Sequence, residues 1–220
     1  MYLLANHTIC PYCRKTRIML EEAKVEYGLK EFLPWEQNPD LEKISPEGKM
    51  PYLLKNGKSV VGNYAVTEFL NDDLEKDFIF GDADQKAEIR RMTSWFDDKF
   101  NKEVYMVLTF EKLYKRVSRL GSPDSSKLRI GLNNLNYHMS YLNWLLDRRK
   151  CIAGKEISLA DFTAAAYLSL LDYSGDVNWD NYKNVKHWYS RIKSRPSFRC
   201  ILKDRFNGIL PANHYSDLDF

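Results

Sequence analysis

The sequence predicts two domains, a small α/β domain built on a mixed four-stranded sheet and an all-α domain behind it. Three observations predict this. Strand and helix signals alternate as β-α-β-(α)-β-β-α through residue 76. Within that run, Asn56-Gly57 sits between two apolar stretches, the signature of a tight antiparallel hairpin. Beyond residue 76 the strand signals stop and only helical spacing continues.

Taken in order, Tyr2 to Asn6 forms a short buried strand. The spacing of Tyr12, Thr16, Ile18 to Leu20 and Ala23 then predicts a helix with Arg14, Lys15, Arg17, Glu21 and Glu22 largely on its other face. Val25 to Leu33 is a second strand, and the polar, Pro-containing stretch Pro34 to Gly48 carries at most a short irregular helix. Pro51 to Leu54 and Ser59 to Val61 make the hairpin, and Ala65, Val66, Phe69, Leu70 and Leu74 predict the helix after it. Residues 1–76 form the first domain, 77–84 a linker, 85–203 the helical domain and 204–220 a tail.

In the helical domain a long helix spans about residues 85–117, Gly121-Ser122-Pro123-Asp124 turns the chain, and 126–146 is a second amphipathic helix. Ser158 and Asp161 predict a capping box, Ser158 accepting from first-turn amides and Asp161 reaching back to the Ser158 amide. The Ala-rich helix after them is apolar nearly all round and belongs at the centre. Residues 185–193 form another helix and Pro196 starts a last short one. Trp95, Trp144, Trp179 and Trp188 are assigned to the core.

Composition limits the function. The 33 basic and 30 acidic residues leave a formal charge of +3, which gives no bulk attraction to nucleic acid or membrane. The start of the chain carries no basic, apolar leader, and no run of about 18 apolar residues occurs. Two of the four cysteines form Cys10-Pro11-Tyr12-Cys13, a spacing suited to redox or metal chemistry and not to a disulfide scaffold. The expected compartment is the cytoplasm.

Cys10 falls where the first strand gives way to the first helix, where free amides and the helix dipole favour a thiolate, with Arg14 and Lys15 a turn away. Cys13 lies on the same face, so Cys10 can attack a disulfide and Cys13 resolve it. Two other readings fit the pair: half of a zinc site, for which Cys151 and Cys200 are too scattered to be partners, or a pair of inert small residues. Met50-Pro51, after Gly48-Lys49, stands where a cis peptide would offer the Met50 backbone to a peptide-like ligand; a trans proline ending a loop is the alternative.

Together these residues resemble the glutathione S-transferase superfamily over nearly the whole chain: Cys10-Pro11-Tyr12-Cys13-Arg14-Lys15, Lys49-Met50-Pro51 and Ile157-Ser158-Leu159-Ala160-Asp161. The resemblance implies a thioredoxin-like N-terminal domain, a homodimer, Cys10 as the thiol-activating position, and glutathione held by Lys49, Met50, Pro51 and Asn63. No cofactor is implied; glutathione enters as a substrate. One position departs from the pattern. Where members carry Glu-Ser or Gln-Ser after the fourth strand, this chain has Gly62-Asn63. Asn63 can serve as an N-cap and donate to a carboxylate, but the acidic partner of the glutathione amine is missing. A charged hydrogen bond of about 1.5–3 kcal/mol lost there lowers affinity by about one to two orders of magnitude.

The end of the chain is similar to the FtsZ-binding, GST-like division proteins of alphaproteobacteria: Ser194 to Arg199, Asp204-Arg205, and His214-Tyr215-Ser216-Asp217-Leu218-Asp219-Phe220. That resemblance implies a non-enzymatic protein that binds FtsZ filaments, with Tyr215, Asp217, Leu218, Asp219 and Phe220 as a docking peptide. A tail folded onto its own domain is the alternative. Lys112, Lys115, Arg116 and Arg119 form a basic edge, either a solvated face or a seat for an acidic filament surface. Trp35 lies in a loop near the cysteines, as a cleft wall, a binding anchor or loop packing. His7, His138, His187 and His214 do not cluster and are read as structural or surface residues. Two functions are implied: an FtsZ-binding scaffold, favoured because the tail is the rarer signal, or a glutathione transferase or glutaredoxin-like oxidoreductase using Cys10 and Cys13.

Overall fold

The computed structural model describes residues 1–33, 39–45 and 48–218. The chain runs β1 (Tyr2–Asn6), α1 (Pro11–Glu22), β2 (Tyr27–Glu31), α2 (Pro39–Ile44), β3 (Tyr52–Lys55), β4 (Lys58–Val61) and α3 (Asn63–Asp73). The sheet order is β2-β1-β3-β4, with β1 parallel to β2 and antiparallel to β3. This is the mixed sheet expected, and Asn56 and Gly57 both take the positive φ that its hairpin turn requires, 50° and 78°. β2 is shorter than residues 25–33 because Val25 still serves α1: its amide bonds to the Leu20 carbonyl at 3.2 Å.

One continuous helix, α4, covers residues 83–117. Its hydrogen bonding is α-type at Ala83–Trp95, Met106–Thr109 and Lys115–Val117 and wider, π-type, at Phe96–Tyr105 and Phe110–Tyr114. The wide turns keep Phe96, Phe100 and Val104 facing the core. α5 (Ser125–Arg148) comes next, capped by Asp124, which accepts from the Ser126 and Lys127 amides at 2.8 and 3.3 Å. At their crossing, a Cβ on Gly131 would lie 2.7 Å from Leu108, so only glycine lets α5 approach α4 this closely.

α6 (Leu159–Tyr173) is buried along its whole length, as its composition requires. The Ser158–Asp161 capping box is present. Asp161 does more than cap: it accepts from the Ser158 and Ile152 amides, both at 2.9 Å, and from Trp188 Nε1 at 2.8 Å. One carboxylate thereby joins the loop before α6 to α7 (Lys183–Lys193); α8 (Arg199–Leu202) is the last helix described. Trp179 and Trp188 are in the core and Trp95 packs against it, but Trp144 is 52% exposed. It stacks on Tyr141 and carries the Arg148 guanidinium 4.7 Å from its ring centroid. α5 has aromatic residues on both faces, and the core selects the face with Leu135, Met139, Leu142 and Leu145.

α1 is the seam between the domains. It packs against α6, and three of its charged residues reach the C-terminal segments. Arg17 Nη1 and Nη2 donate to Asp204 at 2.8 and 3.0 Å, and Arg14 Nη2 lies 3.3 Å from the same carboxylate. Glu22 accepts from Arg195 and Ser197 and pairs with Lys76 at 2.5 Å. The Arg195, Ser197 and Asp204 of the terminal signature are therefore committed to holding the domains together. No described helix is long and apolar enough to cross a membrane.

Candidate functional site

The Cys10 turn is built by α1 itself. Cys10 is the N-cap, with Pro11 at the first helical position, and its Sγ accepts from the Cys13 amide at 3.3 Å. Cys10 is partly exposed, whereas Cys13 is fully buried with its Sγ 3.9 Å from the Ala5 carbonyl. The two thiols diverge electrostatically. Burial pushes Cys10 up, but the Cys13 thiol, the Cys13 and Tyr12 amides and the Lys15 charge outweigh it and hold its pKa below the ordinary value. Burial, then the neighbouring Cys10, pushes Cys13 well above it. This gives a partly exposed sulfur with a lowered pKa and a buried one with a raised pKa, the polarity suited to attack and resolution.

Two tyrosines fix the turn. Tyr105 donates from its hydroxyl to the Ile9 carbonyl at 2.9 Å, and Tyr12 donates to the Asp97 carbonyl at 3.2 Å. The peptide between Met50 and Pro51 is cis. The pairing of Ala5 with Tyr52 sets Pro51 at the end of β1 that leads into the cysteine turn. Lys49 is exposed, with its amide on Ser45 Oγ at 3.1 Å, and Met50 is half-buried. Cys10, Cys13, Met50 and Pro51 thus share one end of the sheet. Trp35 lies outside the described residues. Among the described residues, no three His, Cys, Asp or Glu side chains are grouped to hold a metal.

Asn63 behaves differently from expectation. The N-cap of α3 is Gly62, at φ 92° and ψ 150°, and Asn63 occupies the first helical position. A residue with a Cβ is strained at that φ, so glycine takes the cap. The Asn63 side chain donates through Nδ2 to Asp97 Oδ2 at 2.7 Å, and Lys15 Nζ donates to the same oxygen at 2.8 Å. Asp97 belongs to the first wide turn of α4, and no sequence pattern singles it out. It places a carboxylate beside Asn63, with the buried Lys15 ammonium already against it. The space left beside Lys15, Asn63, Thr93 and Asp97 is about 10 Å³, on the scale of one water.

The tail is folded down. Tyr215 is fully buried, its ring 4.9 Å from that of Tyr173, and its hydroxyl donates to the Ile201 carbonyl at 3.2 Å. The Ala212 amide bonds to the Tyr173 carbonyl at 2.8 Å. His214 Nε2 lies 2.9 Å from Asp172, and Lys193 bridges Asp172 and the His214 carbonyl, each at 3.1 Å. Tyr215 is therefore an anchor and not part of an accessible peptide: its ring is needed to fill the pocket formed by Ile9, Tyr173 and Phe206. Asp217 and Leu218 are exposed; Asp219 and Phe220 lie outside the described residues. In the basic edge, Lys112 pairs with Asp176 and Lys115 with Glu111, which leaves Arg116 and Arg119 as its outward charges.

This architecture agrees with known proteins. The glutathione S-transferase N-terminal domain model matches residues 9–73 and the C-terminal domain model residues 128–196. FtsZ-localized protein A of Caulobacter vibrioides is 40% identical over 222 residues, covering 99% of this chain and 97% of that protein. Two solved structures superpose end to end. A glutathione S-transferase from Rhodospirillum rubrum has a TM-score of 0.96 at 41% identity, covering 100% of both chains. FzlA from C. crescentus has a TM-score of 0.95 at 39% identity, covering 100% of this chain and 99% of that one. With its cis-proline sheet, its cysteine turn and its buried capped helix, the chain belongs to the glutathione S-transferase family, in the branch that includes FtsZ-localized protein A.

Proposed function

We propose that this protein is a GST-fold cell-division factor that associates with FtsZ filaments in the bacterial cytoplasm, without a requirement for glutathione turnover. The observation that carries this reading is the 40% identity with FtsZ-localized protein A along essentially the full length of both chains. The Lys15–Asp97–Asn63 network supports it, because the groups that would receive the γ-glutamyl end of glutathione are engaged with one another. Asp217 and Leu218, exposed beyond the Tyr215 anchor, with Asp219 and Phe220 after them, form the docking segment. A second copy is expected on the exposed face of α5, where Tyr137 and Trp144 are 67% and 52% exposed.

Cosedimentation with FtsZ polymers tests the reading. The full chain pellets with the polymer, and a chain ending at Asp217 keeps its fold and does not. A full chain that stays in the supernatant overturns the proposal.

The Cys10–Cys13 polarity favours a second reading, a thiol–disulfide exchange activity. In it the Cys10 thiolate attacks the glutathione sulfur of a mixed glutathione disulfide, releases the other thiolate and becomes joined to glutathione. A second glutathione then frees Cys10 and leaves as glutathione disulfide, or Cys13 displaces the glutathione to give a Cys10–Cys13 disulfide that two further glutathiones reduce. Turnover of β-hydroxyethyl disulfide with glutathione, abolished by Cys10→Ser, supports it. No turnover by the parent protein removes it.

A further inference from the structure

Beyond the C-terminal end of α5, a crevice of about 400 Å³ opens between that helix, the loop after it and α7. Arg149 and Lys150 line it from the loop, His187 and Arg191 from α7, and Trp188 forms an apolar wall. No carboxylate is among its lining residues. We propose that this crevice binds a phosphorylated small molecule, with the phosphate group held by Lys150 and Arg191.

The loop is rigid and orients its cations. The Cys151 amide bonds to the Gly154 carbonyl at 2.9 Å, and the Gly154 amide returns to the Cys151 carbonyl at 3.2 Å. Arg191 Nη1 donates to the Lys150 carbonyl at 2.9 Å and Nη2 to Cys151 Sγ at 3.7 Å. Arg149 Nη1 donates to the Ile152 carbonyl at 3.3 Å. Two residues of chain span at most about 7 Å, so both guanidinium groups are tied to one short stretch of backbone. Arg191 keeps its Nε and the outer hydrogens of its fork for a ligand. His187 stands one helical turn before Arg191 and so lies on the same side of α7.

The positive charge there is left over. Both acceptors of Arg191 are neutral: burial and then the Asp161 charge raise the Cys151 pKa, so its sulfur remains a thiol at pH 7. Lys150 is exposed and in no ion pair among the described residues. Behind the crevice, the single carboxylate of Glu88 is shared by Arg149 at 2.6 Å and Arg91 at 2.7 Å. The end of α5 adds only about half a negative charge.

This surplus selects the ligand class. A planar, singly charged carboxylate is satisfied by one fork, whereas a tetrahedral phosphate dianion takes donors from several sides at once. The volume is in the range of small-molecule sites and exceeds what a bare phosphate fills. The apolar wall gives an organic body its seat.

The full chain is titrated calorimetrically with glycerol 3-phosphate and, separately, with inorganic phosphate, at low ionic strength held constant with chloride. Saturable binding of glycerol 3-phosphate is expected, tighter than that of inorganic phosphate and weakened about tenfold or more by Lys150→Gln and by Arg191→Gln. Lys150→Gln alters an exposed side chain, so its melting temperature equals that of the parent and lost binding is separated from lost folding. The proposal is overturned if glycerol 3-phosphate does not saturate, if inorganic phosphate binds as tightly, or if either variant binds as the parent does.

Discussion

The cysteine turn and the C-terminal tail are the two regions that the sequence marks for function, and they solve opposite problems. The turn keeps its chemistry accessible: Cys10 is partly exposed, accepts from an amide and has a lowered pKa. The closed part is the cradle next to it, where Lys15 and Asn63 share Asp97. The tail does the reverse. Its most conspicuous residue, Tyr215, is committed to anchoring, and exposure resumes only at Ser216, Asp217 and Leu218. A reactive thiol therefore sits beside a closed ion-paired network, while the exposed end of the tail depends for its position on a buried residue before it.

Removing the anchor is the strongest way to break this comparison. Tyr215→Ala empties a buried aromatic position and is expected to cost about 3–5 kcal/mol, read as a lowered midpoint in urea unfolding. Asp97→Ala strands the buried Lys15 ammonium and should cost a similar 3–5 kcal/mol, whereas adding Lys15→Met to it restores most of the loss. If Asp97→Ala alone unfolds at the parent midpoint, the cradle is not closed by an ion pair.

A smaller effect comes from the seam. Burial opposes ionisation of Glu22, but its bonds to Arg195, Lys76 and Ser197 win and bring its pKa to about 2, from 4.5. Its contribution is complete above about pH 4.5 and fades as the pH falls toward 2. Converted, the shift is on the order of 3 kcal/mol, so Glu22→Gln should flatten the acid limb of the stability–pH curve. At the turn, iodoacetamide followed by mass spectrometry should label Cys10 first, with a rate midpoint below that of a free thiol, and leave Cys13 unlabelled in the folded state. Smallest of all, ending the chain at Asp217 should change stability by less than about 0.5 kcal/mol.

Much of the fold was legible because the patterns are local. The Asn56-Gly57 turn, the Met50-Pro51 bend and the Ser158–Asp161 cap each announce themselves within a few residues. The features that escaped are long-range. Asp97 meets Lys15 from 82 residues away, and nothing about an acidic residue in an amphipathic helix indicates which cation it will find. The wide turns of α4 differ from α-turns by one residue in their bonding, too little to shift the apolar pattern. Trp144 was misplaced because hydrophobicity ranks residues by their wish for burial, but available core volume decides which are admitted; Tyr215, grouped with the docking peptide by resemblance, is instead buried, as the folded-tail alternative allowed. Arg14 and Lys15 likewise looked like solvent-facing charges near a sulfur, and both are buried.

The Asp204 clamp has a consequence for how the molecule is made. Arg14 and Arg17 leave the ribosome early, and the carboxylate that neutralises them comes 187 residues after Arg17. Until then α1 carries two guanidinium groups on the face destined for the domain seam. Completion of that face of the first domain is therefore tied to the arrival of Asp204. A transcript cut short at residue 203 yields a product with every named helix and strand but no counter-ion for that face, a natural target for cellular quality control.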